Sequence, residues 1–384
     1  MRPDLGHARG PQRGLLRSAN HPQRAGAANH HPGSSTMNTN PSQAQAAEAF
    51  ASSACARAPV PARLSVRALV LRYNFLAIFL LVVLVATQLS DNFLTWRNIA
   101  NLFQQASIVG IVAVGMTFVI LTANIDLSVG SLVAFGGMLV AVLLVQGVSI
   151  PLAIAVTLLS GVLIGAGMGA LSIYAEVPSF IITLAGLVSF RGLTYLISDG
   201  TPLGGLPEAF GTFGSLMINL VPGADLPFPA MGLAFIGISL LAGLVLRKTV
   251  FGEYVLASGG NAEAARLSGV PVKPVITAVF AISGLLAALG GVLLTTRLNI
   301  GQPTAAQGLE LDAIAAVVLG GTSLFGGRGS VLGTAVAVML LQVLRNIFNL
   351  LGLGSFYQMT ITGVIIVLAI LLNRLIDHHS GRSH

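Results

Sequence analysis

Few side chains in this sequence could do chemistry, and they lie far apart. Asp126 sits in Thr122-Ala-Asn-Ile-Asp-Leu-Ser-Val-Gly130, with apolar stretches on both sides. An ionisable group beside hydrocarbon is costly, so it marks either a pathway for a polar solute or a satisfied structural position. In the structural reading, Asp126 or Ser128 accepts backbone N–H bonds where a helix restarts. In the functional reading, the two line the pathway. Glu310 and Asp312, which follow Gln302-Pro303 and Gln307-Gly308, divide the same way. They are either acids in the first turn of an interrupted helix, where the dipole favours them, or the lining of a polar gate. No Walker lysine loop, HExxH or GxSxG is present, so the chain carries no catalytic set and is read as a non-enzyme. If ATP drives its function, another polypeptide must hydrolyse it.

A third set of polar residues lies in Phe251–Val270, FGEYVLASGGNAEAARLSGV. Gly252, Gly259, Gly260 and Gly269 bracket a short helix-capable run, 261–267. Asn261 suits its N-cap, Glu263 its positive first turn and Arg266 its negative last turn. Gly269 and Pro271 stop it. A capped helix this short, flanked by membrane-length apolar segments, has no apolar partner of its own. The spacing alone also fits an ordinary loop.

The elements that must position these residues are membrane helices. The 384 residues are 54% hydrophobic and 9% charged, with a net charge of +7. A soluble domain carries about 25% charged residues, so most of this chain is solvated by lipid. A spanning helix needs about 20 apolar residues, which gives residues 68–376 room for roughly ten spans. The expected spans are 70–89, 105–122, 127–147, 150–174, 178–198, 230–246, 275–296, a shorter interrupted 309–324, 329–351 and 356–373. Continuous apolar runs disfavour an outer-membrane barrel. The fold class is therefore all-α and polytopic.

Residues 1–65 form a basic tail of disordered composition, and 1–67 hold eight arginines against Asp4 and Glu48. It lacks aromatic interleaving and adjoins a membrane domain, which favours an anionic leaflet over nucleic acid. Arg63, Arg67 and Arg72 place the N-terminus in the cytoplasm. The 247–274 loop is cytoplasmic by its own charge, and ten spans return the 377–384 tail to the same side. Asp91–Phe103 reads as a short amphipathic piece and 199–229 as an external loop. Gly161, Gly165 and Gly169 at spacing four permit close helix packing. Arg191, Arg297, Arg328 and Arg345 are read as snorkelling to an interface. The single cysteine, Cys55, excludes an intrachain disulfide, and no metal site is expected. A faint internal echo pairs Asp126 before Gly136-Gly137 with Asp312 before Gly320-Gly321.

Three stretches carry a family resemblance, in order. They are Asn124–Ser131, the GxNxxAARxSG wording of Gly259, Asn261, Ala264, Ala265, Arg266, Ser268 and Gly269, and Leu309–Ser330 with its LGGTSLFGGRG run. Together they resemble the ribose/xylose/arabinose branch of bacterial ATP-binding-cassette (ABC) importer permeases over roughly residues 68–374. The resemblance implies that 259–269 is the coupling helix, with Ala264 and Ala265 as small residues fitted to a groove on an ATPase. It implies a cytoplasmic ABC ATPase that binds ATP and Mg, a periplasmic sugar-binding protein and a homodimeric or pseudo-dimeric permease in the inner membrane. The transported solute would be a monosaccharide, with ribose or xylose foremost. The alternatives are a permease for branched-chain amino acids or another small solute, and a proton-coupled secondary transporter.

Overall fold

The computed structural model describes residues 74–219 and 226–354, with scattered positions between 357 and 364. The expected tails, 1–65 and 377–384, lie outside the described residues, as does most of the span expected at 356–373. The described chain is overwhelmingly helical and falls in one compact unit, Leu64–His384.

The elements run α1 (Asn74–Leu89), α2 (Trp96–Leu121), α3 (Val129–Val145), α4 (Ile150–Tyr174), α5 (Ser179–Ser198) and α6 (Glu208–Ser215). A hairpin follows, β1 (Met217–Asn219) and β2 (Pro227–Pro229). Then come α7 (Ala230–Lys248), α8 (Val250–Gly260), α9 (Ala262–Leu267), α10 (Val272–Leu298), α11 (Leu309–Leu319) and α12 (Val331–Leu350). Six of these are long and apolar enough to cross a membrane: α2, α4, α5, α7, α10 and α12. The apolar α1 and α3 are shorter, and α11 has only 11 residues. The described residues thus support a polytopic membrane protein without reaching ten full spans.

Four local expectations are corrected. Residues 91–103 are no separate piece: Thr95 caps a helix that runs unbroken from Trp96 to Leu121. The 199–229 stretch is not all loop. Phe210 of α6 is buried among Val140, Ala141, Leu144, Ala153, Leu206 and Val292, so one aromatic anchor folds a proline- and glycine-rich segment back on the bundle. The β1–β2 pair, in register Met217↔Pro229, adds a small antiparallel sheet to an otherwise helical chain. The 247–274 stretch is two helices, α8 and α9. Thr249 makes the break by accepting from the Gly252 N–H at 3.2 Å, where α7 ends.

Of the six spanning helices α2 is the most deeply buried. Almost every α2 residue from Ala106 to Leu121 is buried, which suits a helix apolar on all sides. By contrast α4 and α5 leave Leu163, Leu171, Val188 and Leu196 exposed, a lipid-facing pattern. Polar pairs tie the bundle internally. Asn98 and Asn346 exchange reciprocal amide bonds at 2.9 and 2.8 Å, and Thr117 Oγ1 meets Thr334 Oγ1 at 2.9 Å. Such bonds hold helices together where the lipid supplies no hydrophobic drive.

The glycine row of α4 packs as its spacing predicts. A Cβ on Gly165 would strike the Phe280 carbonyl, and one on Gly161 the Gly284 carbonyl; the reciprocal position, Gly284, would strike Gly161. Gly167 faces open space, so it belongs to another face. Gly284→Leu should force α4 and α10 apart at a cost of about 1–3 kcal/mol or more. Gly167→Leu should be tolerated. Folded yield after membrane extraction, measured for both variants side by side, checks this pairing.

Contacts sort the helix ends into two groups. At one end Leu121, Gly259, Gly260, Gly326 and Gly327 meet. At the other, Leu203 and Gly301 exchange backbone bonds at 2.8 Å, Gln104 donates to the Gly214 carbonyl and Trp96 to the Pro227 carbonyl.

Candidate functional site

The break between α2 and α3 is irregular backbone inside the bundle, and side chains satisfy it. The Ile125 N–H donates to Ser179 Oγ at 3.2 Å, and Thr183 Oγ1 donates to the Ile125 carbonyl at 3.2 Å, so two residues of α5 clamp the segment. Asp126 is fully buried. Its Oδ1 accepts from the Ser128 N–H at 3.0 Å and from Ser128 Oγ at 2.5 Å; its Oδ2 accepts from Ser283 Oγ at 2.9 Å. Irregular backbone at membrane depth survives only with such partners. Among the described residues no cation pairs with Asp126, and its carboxylate is directed at the start of α3. The bonds to Ser128 close a turn just before α3, whose N-cap is Ser128, and no N–H of the helix's own first turn reaches the carboxylate. Ser283 lies mid-way along an apolar helix, where its spacing gave the sequence reading no signal.

Glu310 lies against the same helix start. A Cβ on Gly130 would run into the Glu310 carboxylate and the Ala306 carbonyl. Glu310 Oε2 is buried with no hydrogen-bond partner among the described residues. The beginnings of two short helices, α3 and α11, therefore adjoin inside the bundle. Arg191 does not snorkel. Its Nη1 donates to the Pro303 and Ala305 carbonyls at 3.1 and 2.7 Å, fixing the segment that leads into α11.

Asp312 is elsewhere. It pairs with Arg345 of α12 at 2.6 Å, so Arg345 is no snorkelling residue either. Asp126 and Asp312, matched in the sequence echo, thus have different partners. The pair borders an open cleft of about 390 Å³.

The 259–269 set divides by exposure. Asn261 caps α9 as expected, its Oδ1 accepting from the Ala264 N–H at 2.9 Å. Glu263 and Arg266 form an exposed ion pair at 2.6 Å. The hydrogen bond and charge of Arg266 hold the Glu263 carboxyl below its usual range. Gly269, at φ +88°, ends the helix. Ala264 is exposed, and so is Leu267 at 75%. Ala265 is not: at 6% exposure it packs into the chain's own core, which corrects the expectation that it faces a partner. Gly259 is also turned inward. A Cβ there would collide with the Leu121 carbonyl and crowd the Gly327 N–H, which itself donates to Leu121 O at 2.9 Å. Gly326 and Gly327 have φ of +80° and +71°, a region that favours glycine. The ends of α2 and α8 and the turn before α12 thus form one backbone junction directly behind α9.

Comparison with known proteins fits this architecture. A family model described as "Branched-chain amino acid transport system / permease component" matches residues 98–370. The chain belongs to this family. It is a transport subunit rather than an enzyme, and among the described residues no cluster of His, Cys, Asp and Glu could hold a metal ion. The chain is 45% identical to the ribose import permease protein RbsC of Bacillus subtilis (strain 168), over 78% of its own length and 91% of the relative's. It is 43% identical to the protein of that name from Escherichia coli (strain K12), with 92% of the relative covered. It is 36% identical to the xylose transport system permease protein XylH of the same strain, with 90% covered. No solved structure matches significantly.

Within this family the fit at Asp126 can be tested. Asp126→Asn should keep most activity, because the amide oxygen still accepts from Ser128 and the amide nitrogen can donate to Ser283 Oγ. Asp126→Leu should lower folded yield, since unsatisfied groups at the α3 start cost about 1–3 kcal/mol. Loss of transport in a normally assembled Asp126→Asn protein would mean that the charge itself is needed.

Proposed function

We propose that this chain is the membrane subunit of an ABC importer that carries a pentose, ribose or xylose, into the cytoplasm. The observation that carries the proposal is 36–45% identity to ribose and xylose permeases over nine-tenths of their length. Two copies would form the pore in the inner membrane. A periplasmic sugar-binding protein would deliver the solute, and a separate cytoplasmic ATPase would bind ATP and Mg and supply the drive.

In this reading α9 is the coupling helix and its end of the bundle is cytoplasmic. The exposed face of α9, with Ala264 and Leu267, enters a groove on the ATPase. Phe325, 86% exposed in the turn that includes the glycine junction, offers a second apolar residue on that side. A push on α9 passes through Gly259 to the ends of α2 and α12. Asp126 and Ser128 hold the α3 start beside the pathway, and Glu310 adjoins it.

The family description names branched-chain amino acids, so solute preference is the discriminating test. In cells lacking their own pentose and leucine importers, the chain co-expressed with its ATPase and binding protein should accumulate labelled ribose or xylose. Accumulation of leucine without either pentose would reverse the assignment.

A further inference from the structure

The cleft beside Asp312 lies near the end of the bundle opposite α9. Gln105 is 16 residues before Leu121 on α2, about 24 Å at 1.5 Å per residue, and Leu121 marks the junction end. Arg297 closes the last turn of α10, and Gln342, Arg345 and Asn349 occupy the far half of α12. Its volume of about 390 Å³ falls in the roughly 300–1,000 Å³ range of small-molecule sites.

The lining is unusual for a membrane domain. Gln342 is only 5% exposed, yet its amide has no hydrogen-bond partner among the described residues and borders the cleft. The amide is not among the sealed, unsatisfied groups, so it takes its hydrogen bonds from whatever fills the cleft. Gln105 of α2 borders the same space, also without a partner among the described residues. The Asp312–Arg345 pair adds a neutral donor and acceptor edge, and Arg297, Gln307 and Asn349 add further polar groups, Asn349 Oδ1 accepting from Gln358 at 2.8 Å. With Arg297 the set carries one residual positive charge, which disfavours metal ions and amines. Amides both donate and accept, which matches hydroxyl groups that do the same. The rest of the lining is largely aliphatic and suits the C–H face of a ring.

We propose that this cleft is a way-station for a neutral polyhydroxy solute, the point at which the sugar first leaves the delivery protein for the permease. The proposal rests on the reading of the chain as a sugar permease. Gln342 and Gln105 are the specificity residues, and among the described lining residues no aromatic side chain adds a stacking face, which keeps binding weak enough for release inward.

Two measurements on the assembled permease–ATPase complex test it. Gln342→Met keeps the side-chain volume and removes the hydrogen bonds; with Gln105→Leu, each should cut ribose or xylose uptake about tenfold. Membrane level and ATPase retention should stay at wild type. In a Cys55→Ser background, Asn349→Cys should react with a membrane-impermeant maleimide added outside, and millimolar ribose or xylose should slow that reaction while leucine does not. Wild-type uptake by both variants, or a cysteine that is unreactive or unprotected by either pentose, would overturn the proposal. An unreactive cysteine would mean that a second copy of the chain fills the cleft. Failure of the wild-type complex to move any pentose would instead count against the sugar reading itself.

Discussion

An Ala264→Arg permease is expected to reach the membrane in normal amounts and to lose both its ATPase and sugar uptake. Ala264 is exposed on α9 and its hydrogen bonds to Asn261 and Ser268 are made by backbone atoms, so the substitution leaves the bundle intact. Docked in a groove, the arginine would be a bulky, unpaired, desolvated charge, at a cost of about 2–5 kcal/mol. At 1.4 kcal/mol per tenfold, that weakens the ATPase complex by roughly 30-fold to several thousand-fold. Leu267→Glu should act similarly, because it replaces the large apolar side chain most exposed on α9 with a charge. Ala265→Arg is a different experiment. Its side chain would enter the core around Ala265, so it should damage the permease before any docking is measured. Co-purification of the ATPase with each variant, beside membrane yield, separates the cases. Full ATPase retention by Ala264→Arg and Leu267→Glu would remove α9 from the interface.

Gly259→Val should be strongly disruptive, because a Cβ there meets backbone more closely than at any other described glycine. Its side chain would occupy the space of the Leu121 carbonyl, which already accepts from the Gly327 N–H, and backbone cannot yield as a flexible side chain can. Overpacking of this kind costs about 1–3 kcal/mol even where neighbours can shift, and more where they cannot. Gly260, one residue on, has open space around a Cβ, so Gly260→Ala is the matched control. The expected outcome is a large fall in the thermal midpoint of extracted permease for Gly259→Val and little change for Gly260→Ala. Equal midpoints for the two would show that the junction is looser than its contacts imply.

The sequence made the membrane class and the short capped helix legible because both rest on local rules. Apolar runs of spanning length predict helices whatever their neighbours, and Asn261, Glu263, Arg266 and Gly269 carry helix boundary chemistry in their own side chains. What stayed hidden depends on partners distant in sequence. Ser283 caps nothing on its own helix, and only the fold brings it to Asp126. Arg191 and Arg345 look like interfacial arginines until Ala305 and Asp312 arrive from more than 30 residues away. Gly259 and Ala265 share a motif with Ala264, and a motif does not record which side of a six-residue helix faces the core. Phe210 shows the converse, since one buried aromatic ordered a segment whose prolines and glycines suggested a loop.

One measurement tests ATP-driven pentose import most directly. Purified permease is reconstituted into proteoliposomes with its ATPase, the binding protein and labelled ribose or xylose are added on the delivery side, and ATP is supplied on the other. Uptake should require ATP, the ATPase and the binding protein together, and should persist when a protonophore collapses any pH gradient. Pentose uptake by the permease alone, driven by an imposed proton gradient and indifferent to ATP, would contradict it.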